Sequence, residues 1–166
     1  MKKVGLVLLV AVGMLAGAAV QQANAQDKKV EFSLNLGIQT NVWDGTSFDG
    51  ASYTLDGRLG IALGKSFEIS PEIMYVFDNV FEGDVNFLYP GVMLNYKNGN
   101  FFIGAGAVLP IAYAEGDSDT GKIAPKVNVG YKFGMLMMTV YAIAWTESDI
   151  NFLDVNFVGI TLGYKF

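Results

Sequence analysis

Two stretches of this sequence have residue types and spacings that belong to known chemistry. Gly116-Asp117-Ser118-Asp119-Thr120-Gly121-Lys122 fits G-x-x-x-x-G-K, the pattern of a phosphate-cradling loop. Three features defeat that reading. Ile123 stands where a hydroxyl would hold magnesium, two aspartates inside the loop repel phosphate, and a strand pattern rather than a helix follows. Asp117-x-Asp119-x-Gly121 also opens like a calcium loop, but the later glutamate is missing. A solvated acidic turn is the reading kept. Glu68 and Glu72 would form a carboxylate pair for acid–base work, since their spacing puts both on one face of a strand. Neither a cleft nor a nucleophile accompanies them, so structural pairing is expected. The chain has no histidine and no cysteine. That removes the commonest general base and metal ligand, and with it thiolate and disulfide chemistry. No catalytic residue, cofactor site or metal site is expected.

The elements that must position the charged side chains start after a leader. Lys2 and Lys3 are followed by an apolar run from Val4 to Val20 and by Ala23-Asn24-Ala25, an A-x-A cleavage site. Residues 1–25 therefore read as a secretory signal peptide, with cleavage specified by Ala23 and Ala25. Residues 26–166 suit one domain. The net charge is −5, and losing the two leader lysines makes the remainder more acidic. An acidic chain without a basic stripe is a poor nucleic-acid binder. Apolar residues make up 52% of the sequence. After the leader no run approaches the roughly 20 residues of a spanning helix.

The apolar residues alternate instead. The last stretch is the clearest: Val158, Ile160, Leu162, Tyr164 and Phe166 are interleaved with Gly159, Thr161, Gly163 and Lys165. A period of two means a strand with one apolar and one small or polar face. From Val30 to Val42 the pattern repeats, with Phe32, Leu34, Leu36 and Ile38 opposite Glu31, Ser33, Asn35 and Gln39. It recurs over about 51–63, 67–77, 101–113, 123–133 and 136–146. The segment 85–97 is apolar on both faces, so its phase is left open. Pro71 removes a ladder donor, and a local bulge is expected there. The sum is eight strands in four hairpins.

Short turns at 64–66, 97–100 and near 134 alternate with longer loops at 43–50, 78–84, 114–122 and 147–151. Asn98-Gly99 is a strong hairpin signal. Phe67, Phe101, Tyr131, Phe133, Tyr164 and Phe166 fall at the turn end of their strands, and Tyr53, Phe77, Tyr113 and Trp145 at the loop end. Two aromatic bands separated by aliphatic residues are the girdles of two membrane interfaces. A soluble barrel would reverse the pattern and need a polar exterior. The polar face here is too sparse for that. The fold expected is all-β: an eight-stranded antiparallel transmembrane β-barrel, an up-and-down meander, after a cleaved signal peptide.

Ile160, Leu162, Tyr164 and Phe166, alternating to a terminal aromatic, resemble the C-terminal signature of bacterial outer-membrane β-barrel proteins. The chain is similar to the small barrels of the OmpA, OmpX and OmpW type, of the porin-family outer-membrane β-barrel domain. The resemblance implies an outer-membrane location, with loops outside and turns in the periplasm. Its implied partners are outer-membrane lipids and, during biogenesis, periplasmic chaperones and the barrel-assembly machinery that reads the signature. The peptidoglycan-anchoring role of full OmpA-type proteins is not expected.

Inside such a barrel the charges are Glu31, Asp56, Arg58, Glu68, Glu72, Lys126, Lys132 and Lys165. Buried charges must pair or stay hydrated. A lumen network is expected, centred on Arg58 with Glu31, Asp56 or Glu72, and on Lys126. Ten of the 16 acids fall on the loop side, which raises divalent bridging to anionic lipid headgroups as a hypothesis. The function expected is a structural or surface-interaction role, without catalysis, in a barrel whose lumen is closed by side chains. The alternative is a narrow channel or conduit for small or hydrophobic molecules, if Gly60, Gly104, Gly106, Gly130, Gly159 and Gly163 leave space. A third class, a lipid-modifying barrel enzyme, is disfavoured by the missing histidine.

Overall fold

The structure, a computed structural model, describes residues 30–42, 51–77, 85–114, 117–144 and 157–166. The leader, the cleavage residues Ala23 and Ala25, Trp145 and most of the long loops lie outside these residues. The described residues form ten strands: β1 (Val30–Asn41), β2 (Ala51–Leu63), β3 (Phe67–Phe77), β4 (Val85–Asn98), β5 (Phe101–Val108), β6 (Ile111–Ala114), β7 (Asp117–Thr120), β8 (Ala124–Phe133), β9 (Leu136–Ile143) and β10 (Phe157–Lys165). No described helix is long and apolar enough to cross a membrane.

Every pairing is antiparallel, and neighbours in sequence are neighbours in space. β5 and β6 run one after the other along β4, so they form a single stave; β7 and β8 continue each other in the same way. Eight staves result. β1 pairs with β10, which closes the sheet on itself; among the described strands only β7, beyond the end of β8, has a partner on one side alone. A circuit of partners leaves β1 at Val30, passes Ile61, Ile69, Leu94, Ala105, Val127, Ala142 and Val158, and returns to β1 at Thr40. The stagger is ten residues. With spacings of about 3.4 Å along and 4.8 Å across the strands, the staves tilt by roughly 40° and the backbone lies roughly 8 Å from the axis.

The three tight turns contain Gly64, Gly99 and Gly134, each at positive φ (82°, 61° and 67°), a conformation in which a Cβ is strained. Leu34, Leu36, Ile38, Val92, Leu94, Ile103, Val127 and Leu162 are exposed on the outer wall. Ser33, Asn35, Asp56, Arg58, Glu72, Asn95, Lys126 and Thr161 are buried inside. The arrangement is inverted relative to a soluble protein.

Two expectations need correction. No bulge occurs at Pro71: Arg58 pairs with Glu72 and Ile61 with Ile69, so the β2–β3 register passes the proline unchanged. The proline points outward and is exposed, and its only effect on the ladder is a missing rung. The bulge lies elsewhere. Val108 pairs with Ala124 and Ile111 with Thr120, so two residues on one stave face three on the other. Pro110 lacks an N–H, and its carbonyl accepts from the Gly121 N–H at 2.8 Å. Lastly, part of the expected 114–122 loop is strand, because β7 extends the sheet beyond that bulge.

β4 acquires its phase from closure. Tyr89, Met93 and Asn95 point inward, while Val92, Leu94 and Tyr96 point outward. Tyr141 and Ile143 share a face, as expected, and that face is the inner one.

Candidate functional site

The lumen is built in layers, which the inward rows of β3 and β8 display. From turn end to loop end β3 presents Glu68, Ser70, Glu72, Met74 and Val76, all buried. β8 runs the other way with Ala124, Lys126, Asn128 and Lys132. Alternation places these side chains inside, and the stagger decides which of them meet.

The middle of the lumen holds a chain of alternating charge. Arg58 Nη2 donates to Asp56 Oδ2 at 3.2 Å and pairs with Glu72 Oε2 at 3.2 Å. Lys126 Nζ donates to Glu72 Oε1 from the far wall. Asn35 Nδ2 supports Asp56, donating to its carboxylate at 3.3 Å and to its carbonyl at 3.2 Å. All four charges are at most 4% exposed, so their mutual pairing is what makes their burial tolerable. The Lys126 ammonium also sits 4.7 Å from the Tyr141 ring centroid.

A second chain crosses the turn-side mouth. Lys165 reaches Glu31 at 3.2 Å, Glu31 reaches Lys132 at 3.0 Å, Lys132 reaches Glu68 at 3.6 Å, and Glu68 reaches Lys97 at 3.0 Å. Five strands, β1, β3, β4, β8 and β10, are tied by these contacts. Glu31 therefore does not join Arg58: it belongs to the mouth, because the stagger carries the start of β1 to the turn end. The alternation leaves Lys97, at the 97–100 turn, out of the inward set, since it does not settle the phase of that strand. The Asn98-Gly99 turn was the signal that fixes it. Glu68 and Glu72 join different chains with Ser70 between them, so they do not form an acid–base pair.

Toward the loop end the lumen turns apolar. Met74, Val76, Tyr89, Val108, Ala124, Tyr141 and Ile143 form one buried cluster, with Phe87 and Phe157 packed against it. Tyr141 Oη donates to Gln39 Oε1 at 3.0 Å within this layer. The plug escaped sequence reading because inward apolar residues erase the alternation that reveals a barrel strand.

The inner glycines do not open space. A Cβ at Gly163 would fall on the Asn35 amide, at Gly104 on Asn95 and Asn128, at Gly130 on the Phe102 ring, at Gly159 on Tyr141, at Gly60 on Glu68 and at Gly106 on Met93 and the β4 backbone. Each glycine is the place where a neighbour's longer side chain lies flat against the wall. The space expected of them is filled.

On the outside, Ile160, Leu162, Tyr164 and Phe166 all face away from the lumen. Phe166 seals the seam between first and last staves. Its N–H donates to the Phe32 carbonyl at 2.8 Å, and its ring stacks on Phe32 at 5.7 Å. Tyr164 packs edge-on against Phe166 at 5.1 Å. Tyr131–Phe133 and Phe67–Tyr96 continue an aromatic band at this end, and Tyr53, Tyr75 and Phe77 stand at the other.

A closed barrel with an apolar outer wall, aromatic bands and a charged interior has the architecture of a transmembrane β-barrel. The chain has the fold of the small outer-membrane barrels. The crystal structure of Neisserial surface protein A superposes with a TM-score of 0.52 at 10% identity, covering 82% of this chain and 94% of that one. The outer membrane protein Ail of Yersinia pestis, determined in a phospholipid bilayer nanodisc, superposes with a TM-score of 0.54 at 12% identity, covering 83% and 100%. No protein-family model matches the sequence, and no curated protein matches it. At such identities the likeness concerns the fold.

Proposed function

We propose that the chain is an exported bacterial outer-membrane protein, processed after Ala25, with a structural or surface-interaction role and no catalytic activity. Its long loops face outward and its turns face the periplasm. Outer-membrane lipids cover the apolar wall. Periplasmic chaperones and the barrel-assembly machinery are its partners during biogenesis, the latter through Ile160, Leu162, Tyr164 and Phe166.

The observation that carries a non-conducting role is the lumen's cross-section. Two charge chains and an apolar plug lie in series, and the wall glycines between them are covered. An ion would have to break buried pairs and then enter a layer with almost nothing to solvate it. The loop side is acidic, with Lys122 the sole base among the loop segments 43–50, 78–84, 114–122 and 147–151, so its surface contacts favour cationic or neutral groups over polyanions.

The test has two arms. The protein should fractionate with outer membranes and migrate differently on gels before and after boiling. The purified barrel should then be silent in planar bilayers; steady single-channel currents would replace this reading with the narrow-conduit one.

A further inference from the structure

Between the two charge chains lies a layer that neither ion pairs nor apolar packing explains. Asn95 and Asn128 flank Gly104 from β4 and β8, one residue pair removed from the charges on either side. Asn95 Nδ2 donates to Ser70 Oγ at 2.9 Å, yet Asn95 Oδ1 has no hydrogen-bond partner in the protein. Both amide atoms of Asn128 lack one, and so do the hydroxyls of Thr139 and Thr161 and the Nε of Arg58. All of these residues are at most 4% exposed. A buried donor or acceptor left without a partner is strongly unfavourable, and folded proteins supply ordered water where the protein supplies nothing.

The layer has the means to admit water. Its walls are Ser33, Asn35, Ser70, Gly104, Thr139 and Thr161, short side chains in a barrel whose backbone lies roughly 8 Å from the axis. Asn128 makes no hydrogen bond through its amide, so none holds its side chain against Gly104. The unpartnered atoms belong to residues of β2, β4, β8, β9 and β10, so they supply the several polar partners that a water site requires. Toward the turns it meets the mouth chain, whose lysines and Glu31 are only half-buried. Toward the loops it meets the Arg58–Glu72–Lys126 chain and, beyond that, the apolar cluster, in which Met74 and Tyr89 are fully buried.

We propose that this belt binds a cluster of water molecules continuous with the turn-side solvent and cut off from the loop side by the plug. The lumen is then a blind aqueous vestibule rather than a dry core or a pore. Water from one side alone reaches the Arg58–Glu72–Lys126 chain. The proposal deepens the non-conducting reading, because a hydrated lumen stays silent only if the plug is dry. It does not depend on which membrane the barrel occupies, so it fails separately from the location.

Three buried methionines report on the layers. Met137 precedes Thr139 on β9 and Met93 precedes Asn95 on β4, so both border the belt. Met74 lies in the plug. Their exposures are 4%, 0% and 0%, so bulk solvent alone would leave Met93 and Met74 equally protected. X-ray radiolysis of the folded, detergent-purified protein generates hydroxyl radicals from bound water, and these oxidise an adjacent methionine sulfur to the sulfoxide. The expected mass-spectrometric result is oxidation of Met93 and Met137 several-fold above Met74, with boiled protein labelled at all three. Met93 as protected as Met74 would overturn the hydrated belt. Met74 labelled like Met93 would overturn the dry plug and with it the one-sidedness.

Discussion

Glu72 is the residue on which the interior pairing turns, since it alone holds both Arg58 and Lys126. Removing its charge strands Lys126 in a lumen where it is 1% exposed, and breaking a buried pair in this way costs about 3–5 kcal/mol. Glu72→Gln is therefore expected to lower unfolding stability by that amount, measured by urea titration in detergent or lipid. Lys165→Met should lose less than about 1 kcal/mol in the same titration, because the mouth chain is hydrated and Glu31 keeps Lys132. Equal losses would mean that the two chains do not differ in burial as they do here. The glycines make a second residue-level claim. Gly163→Ala forces a methyl into the Asn35 amide, and overpacking of this kind costs about 1–3 kcal/mol. If that contact is the cause, combining it with Asn35→Ala should fall short of the summed single losses by at least about 0.5 kcal/mol.

Individual elements show where alternation is and is not informative. β2 and β3 have the limits expected from the sequence, since both have a clean outer face and a polar or small inner one through most of their length. β4 is ambiguous because Tyr89 and Met93 point inward and the apolar signal appears on both faces; on β9 the alternation puts Tyr141 and Ile143 on one face but does not say that it is the inner one. The bulge was misplaced for a related reason. Proline marks a missing donor, but whether the chain gains a residue there depends on the partner stave, which local sequence does not contain. At Pro71 the ladder simply continues, so Pro71→Val restores a rung and should raise stability by about 0.5–1.5 kcal/mol in the same urea titration. At the seam, Phe32 and Phe166 join staves that are farthest apart in sequence. A double-mutant cycle of Phe32→Ala and Phe166→Ala should return a coupling of about 0.5–1.5 kcal/mol; additivity would mean that the stack contributes nothing to closure.

At the scale of the whole molecule the barrel was legible and its interior only partly so. Strand periodicity tells each side chain which way to face, which is why Asp56, Arg58, Glu72 and Lys126 were placed inside. Which inward charges meet is set by the ten-residue stagger, a property of closure that no single strand encodes. That is how Glu31 came to be grouped with Arg58 when it belongs with Lys132 and Lys165. The orientation of the outer wall rests on the same closure and can be tested directly. Leu36 lies midway along β1, is 64% exposed, and has no lumen neighbour to lose. On a soluble protein, Lys at such a site changes stability by less than about 0.5 kcal/mol. On a wall covered by hydrocarbon, Lys near the midplane costs about 2–4 kcal/mol, and less toward the interfaces. Leu36→Lys in lipid vesicles should show the large value, while Phe67→Lys, in the turn-end aromatic band, should show the small one. A flat response at both positions would mean that water, not lipid, covers this wall.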